Sequence, residues 1–159
     1  MIVILMGVSG SGKTTIGTLL AERMHTSFAD ADDYHSAANK AKMAAGHPLD
    51  DQDRQPWLET LNSLLLQWFE AGKGGVLACS ALKDEYRKTL VRGLPPNGYT
   101  FVLLDGSREL IAERMSAPTD KWLRIVSMGL LFTEDRYYPS AAAGRWVAGF
   151  RPRGLTGGI

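Results

Sequence analysis

Three short runs of uninterrupted apolar residues, Ile2 to Met6, Val76 to Cys79 and Phe101 to Leu104, stand out along the chain. Runs of this length without alternation fit strands buried on both faces of a parallel sheet, and a weaker one lies near Ser27 to Ala29. Between them the period changes to that of a helix. Trp57, Leu58, Leu61, Leu64, Leu65 and Trp68 recur at helical spacing between Asp53 and Ala71. Asp53 is the expected cap, and Pro56 falls in the expected first turn, where its missing N–H costs little. Further helices are expected over Asp84 to Val91 and Ser107 to Ser116, the latter with Leu110, Ile111 and Met115 on one face. This alternation predicts a doubly wound α/β fold, whose ligands collect beyond the carboxyl ends of the strands. A strand over Arg145 to Phe150 is only weakly marked, because Gly149 and the surrounding glycines and prolines interrupt it.

The first strand runs directly into Gly7-Val8-Ser9-Gly10-Ser11-Gly12-Lys13-Thr14, a phosphate-binding loop complete at every fixed position. Gly10 and Gly12 let successive backbone N–H groups turn inward around phosphates, and Lys13 reaches the β- and γ-phosphates from the first turn of the following helix. Thr14 offers its hydroxyl to Mg²⁺, and the helix points its positive end at the same phosphates. The loop says that the chain holds a nucleotide.

Composition narrows the partners. At 159 residues and 45% hydrophobic, the chain has material for one domain, and a formal net charge of +1 gives no electrostatic footprint for nucleic acid or a membrane surface. A small-molecule partner is expected. The lone cysteine, Cys79, excludes an intramolecular disulfide and reads as a small buried side chain of a protein in a reducing compartment. The N-terminal apolar stretch has no basic leader, so a cytoplasmic location is expected.

Asp30 and Asp32 stand two apart at the end of the second expected strand, so extended geometry turns both carboxylates the same way, toward the phosphate loop. One can hold a metal-bound water while the other accepts the proton of an attacking hydroxyl. His35 is placed to hydrogen-bond a polyhydroxylated substrate, while Lys40 and Lys42 read as a solvated face. In the polar stretch from Gly46 to Arg54, the acids cap the next helix and Arg54 is the candidate for binding a carboxylate. Ser80, Lys83 and Arg87 follow the Val76 strand; an i,i+4 step from Lys83 to Arg87 directs two cations at one region, a surface pair with Asp84 being the alternative. Two carboxylates and several cations around such a loop suggest a kinase for a small, anionic, hydroxyl-bearing acceptor.

The strings Met6 to Lys13, Asp30-Ala31-Asp32-Asp33-Tyr34-His35, Pro48 to Leu58 and Ala78-Cys79-Ser80-Ala81-Leu82-Lys83 resemble the gluconokinase family in order and spacing. The resemblance implies a three-layer P-loop kinase fold similar to shikimate and adenylate kinases, ATP and Mg²⁺ as cofactors, a homodimer, and transfer of phosphate to the terminal hydroxyl of D-gluconate. By position it implies nucleotide binding by Gly7 to Gly12, Lys13, Thr14 and Thr15, with Asp30 near the metal shell. Asp32 becomes the proton acceptor; Lys13 and Arg114 join it as catalytic residues; His35, Arg54, Lys83 and Arg87 hold the sugar acid. The likeness covers residues 1–117 and ends abruptly after Ala117. Pro118 stands where the family continues into its lid, and no Asp or Glu follows Asp135. Residues 118–159 thus read as an atypical segment of the same domain, with lid and last strand missing or altered and gluconate phosphorylated poorly. A shifted reading frame or alternative exon fits such a break.

Overall fold

The computed structural model describes residues 1–104 and the backbone of one further strand, Arg145–Phe150. Elements follow in the order β1 (Ile2–Met6), α1 (Lys13–Met24), β2 (Phe28–Asp30), a 3₁₀ turn (Ala31–Tyr34), α2 (Ala37–Ala44), α3 (Asp51–Glu70), β3 (Gly75–Ala78), α4 (Asp84–Leu90), β4 (Tyr99–Leu104) and β5 (Arg145–Phe150). The expected helix over Ser107 to Ser116, and Arg114 with it, lies outside the described residues.

All five strands pair in parallel, in the order β2-β3-β1-β4-β5. β1 is central, with Ile2 opposite Gly75 on one side and Tyr99 on the other. Its uninterrupted apolar run follows from that position, since both faces are covered. Ile2, Ile4 and Met6 pack with Trp57, Leu58, Leu61 and Leu65 of α3, whereas Val3 and Leu5 pack with Ile16, Leu20 and Ala21 of α1. Alternate side chains of one strand therefore bind two helical layers. Cys79 is buried in the α3-side core, where desolvation pushes its thiol up to about 12.

Two glycines set how closely the helices approach. A Cβ on Gly17 of α1 would lie 2.4 Å from the Phe28 ring, and one on Gly75 of β3 would lie 2.1 Å from Trp68.

The structure moves several boundaries. α3 begins three residues before the expected position, with Asp50 rather than Asp53 as its cap: the Asp50 carboxylate accepts from the Asp53 N–H, and the Asp53 carboxylate accepts from the Asp50 N–H. Asp53 is thus the third helical residue, completing a reciprocal capping box. Pro56 then sits inside the helix rather than in its first turn. The last strand, expected as missing or altered, is formed at Arg145–Phe150, with an irregular register against β4 between Val102 and Leu104.

Candidate active site

Between β1 and α1 the backbone turns through Gly7 (φ 140°), Gly10 (φ 77°) and Gly12 (φ 93°), conformations that side-chain-bearing residues rarely adopt. Gly12 caps α1 without a side-chain acceptor, so the first N–H groups of the helix remain available to an anion. Lys13 curls over the loop and its Nζ donates to the carbonyls of Gly7 at 2.9 Å and Val8 at 3.0 Å. Burial lowers its pKa, against the raising effect of Asp32.

The two carboxylates meet the loop by a route other than the expected extended one. After Asp30 the chain enters the 3₁₀ turn, and the Asp30 carboxylate accepts from the Asp32 N–H at 3.1 Å through one oxygen. Its other oxygen accepts from the Thr14 hydroxyl at 2.7 Å. Thr14 and Asp30 therefore present two hard oxygen donors side by side, a donor set that fits a Mg²⁺ ion completed by water and phosphate oxygens. Asp32 stays open to solvent on one side, yet desolvation by the protein around it, and then the Asp30 charge, raise its pKa; Lys13 and Arg54 oppose the shift.

His35 is buried, 8% exposed, and its ring stacks on Trp57 with centroids 4.3 Å apart. The indole of Trp57 donates to the Ala31 carbonyl at 2.7 Å, fixing the platform. Desolvation, then the positive charges of Arg54 and Lys40, bring the His35 pKa down to about 4, so the imidazole is neutral around pH 7. Its Nδ1 is buried without a hydrogen-bond partner among the described residues.

The cations sort themselves by environment. Arg54 uses its Nε on the Leu49 carbonyl at 3.2 Å, and its guanidinium carbon lies 5.8 Å from the Tyr86 ring centroid. Lys83 sits before α4 as its cap residue, so it does not share a helical face with Arg87 as expected; its Nζ contacts both oxygens of Asp51, at 2.7 and 2.9 Å. Arg87 is buried, donating to the carbonyls of Ala81 and Leu82 and pairing with Asp84 at 3.1 Å, the surface-pair alternative with its arginine turned inward. Lys42, read as part of a solvated face, pairs with Asp53, and Lys40 donates to the Asp33 carbonyl.

A family model described as shikimate kinase matches residues 9–129. A relative from Rattus norvegicus, described as a probable gluconokinase, is 47% identical over 130 residues, covering 72% of this chain and 70% of its own. The chain belongs to the gluconokinase family. Two solved structures agree with the family's fold in three dimensions. One, a sugar kinase from Janibacter sp., has a TM-score of 0.76 at 39% identity, covering 91% of this chain and 83% of its own. The other, described as a gluconokinase from Sinorhizobium meliloti, has a TM-score of 0.72 at 35% identity, covering 93% and 83%. The chain spans 50 to 70% of the length of the curated gluconokinases it matches.

Three residues that contact the candidate side chains were not among the candidates read from the sequence. Trp57 carries His35, Asp51 binds Lys83, and Tyr86 donates its hydroxyl to Asp51. Trp57 read as one of the apolar residues at helical spacing in α3, and Tyr86 was not singled out within the expected helix over Asp84 to Val91. The signal for Asp51 is its place in an acidic run just ahead of a helix, which resembles capping.

Proposed function

We propose that this chain transfers the γ-phosphoryl group of ATP to the 6-hydroxyl of D-gluconate, giving 6-phospho-D-gluconate and ADP. The observation that carries the reading is the convergence of Lys13, the Thr14–Asp30 pair and Asp32 at one end of β1 and β2, in a chain of the gluconokinase family. Gly7 to Thr15 hold the nucleotide. Lys13 exchanges its two loop carbonyls for the β- and γ-phosphates. Thr14 and Asp30 would hold a Mg²⁺ ion, which would supply neutralisation of phosphate charge.

Asp32 accepts the proton of the 6-hydroxyl as its oxygen bonds to phosphorus and the bond from phosphorus to the ADP oxygen breaks. Desolvation and the neighbouring Asp30 charge raise the Asp32 pKa, which makes its carboxylate a stronger base than an ordinary aspartate. Arg54 pairs with the gluconate carboxylate, Lys83 joins it when its ion pair with Asp51 opens, and neutral His35 hydrogen-bonds the polyol. Arg87, expected among the substrate ligands, serves by shaping the Ala81–Leu82 backbone beneath them. Arg114, outside the described residues, offsets charge on the transferred group by its family position. The reading includes a homodimer in the cytoplasm, to be checked by sedimentation and localisation; no described helix is long and apolar enough to cross a membrane.

Coupled ADP release with gluconate and with shikimate tests the assignment. Gluconate is the expected acceptor, and Lys13→Ala and Asp32→Asn are expected to lower turnover by about 10²-fold or more; equal activity in all three proteins overturns the roles. The departure after Ala117 adds an expectation of turnover at least about 10³-fold below that of the rat relative, the scale set by losing a lid arginine. A rate within tenfold would refute it.

A further inference from the structure

Two cations of the acceptor side share one aromatic ring. The Lys83 ammonium lies 5.3 Å and the Arg54 guanidinium carbon 5.8 Å from the centroid of Tyr86. Both distances fall within reach of the electron-rich face of a tyrosine. The same tyrosine is anchored at its far end, where its hydroxyl donates to Asp51. Asp51 in turn takes both oxygens to Lys83, so Lys83 is already neutralised by a carboxylate of its own chain.

Arg54 is placed differently. Among the described residues the one hydrogen bond of its side chain is made through Nε, to Leu49, which leaves the guanidinium fork for a ligand. A planar fork binds a carboxylate bidentately, but a flexible side chain held by one hydrogen bond gives up much of that geometry unless something fixes its plane. The ring of Tyr86 is the surface present to do so. From this geometry we infer that Tyr86 is a positioning residue for the acceptor carboxylate: its ring holds Arg54 in the binding orientation while its hydroxyl and Asp51 keep Lys83 tied back at the same edge. This inference rests on the reading of the site as one for a hydroxy acid. It assigns carboxylate recognition to a contact between the first turns of α3 and α4 rather than to single cations.

The test measures gluconate affinity by calorimetry and kinetics for wild type, Tyr86→Leu, Arg54→Met and the double variant, with MgATP affinity alongside. Tyr86→Leu is expected to weaken gluconate about five- to thirtyfold, the range of a cation–π contact that is partly desolvated, with kcat and MgATP affinity little changed. In the Arg54→Met background the same change is expected to have no further effect, whereas a residue that only supports packing would still lower affinity there. Leu loosens the packing of α4 on α3. Trifluorophenylalanine at position 86 therefore serves as the second variant, keeping the ring's shape while weakening its negative face, and Tyr86→Phe, which lacks the same hydroxyl but keeps that face, should bind gluconate more tightly than the trifluoro variant. Unchanged gluconate binding in Tyr86→Leu, or equal losses in both backgrounds, overturns the inference while leaving the kinase assignment standing. A wild-type chain that binds MgATP but no gluconate overturns the assignment itself, and this inference with it.

Discussion

Asp32 and His35 sit three residues apart and are pushed in opposite electrostatic directions, which gives each a separate pH signature. Desolvation and the Asp30 charge raise the Asp32 pKa above the ordinary 3.8, so the acid limb of kcat should lie above that value, and Asp32→Asn should remove the limb together with about 10²- to 10⁴-fold of the rate. A pH profile of turnover checks this; a limb at or below pH 3.8 would count against Asp32 as the base. For His35 the folded pKa of about 4 lies below the ordinary 6.5. The unfolded chain takes up this proton first as pH falls, so the stability contributed by neutral His35 is complete above 6.5 and is lost from there down toward 4. Asp32 works the other way, because its raised folded pKa favours the protonated native state as pH falls. In an Asp32→Asn background, His35→Phe should keep its stack on Trp57 and flatten the fall in Tm between pH 6.5 and 4. Identical slopes with histidine and phenylalanine would show that the buried imidazole is not the group responsible.

Helices α3 and α4 carry Arg54, Tyr86 and Arg87, and a buried amide joins the two. Asn62 of α3 donates to the carbonyls of Leu90 at 2.8 Å and Arg92 at 2.9 Å, capping the end of α4 from a neighbouring element. Asn62→Leu leaves both carbonyls without this donor and should cost roughly 1–3 kcal/mol by chemical denaturation. Gly75→Ala asks Trp68 to move from a 2.1 Å approach and should cost about 1–3 kcal/mol, the price of overpacking a filled core. How far such elements could be read from the sequence depended on what encodes them. Apolar runs placed β1, β3 and β4, and the Trp57 to Trp68 stripe placed α3, because burial writes itself directly into hydrophobic spacing. The start of α3 was misplaced because Asp50, Asp51 and Asp53 are all competent caps, and only the backbone decides which one accepts from which N–H. Asp30 and Asp32 were found as a pair by their separation. Their arrangement was not, since the 3₁₀ turn that joins them depends on a hydrogen bond between the two. Tyr86 was invisible for a further reason: an aromatic at helical spacing looks the same whether it fills a core or lies under two cations.

Across the whole molecule, the sheet ties its far edge to the phosphate loop. An ideal Cβ on Gly7 would lie 2.6 Å from the Leu104 carbonyl, so the last residue of β4 closes directly against the first residue of the loop. β4 is held on one side by β1 and on the other by β5, and its register against β5 is irregular at Val102 to Leu104, the end that touches Gly7. Removing residues 145–159 would leave β4 as an edge strand with a row of unpaired backbone groups. Its amides from Thr100 to Leu104 should then exchange faster with deuterium, while those of β1 and β3, paired on their own sides, keep their protection. The truncated chain should also aggregate more readily. MgATP affinity should fall less than in Gly7→Ala, which both forces a side chain into φ 140° and drives it against Leu104. Exchange of the β4 amides that is unaltered by the truncation would show that β5 contributes nothing to this edge, and that Leu104 is held against the loop by β1 alone.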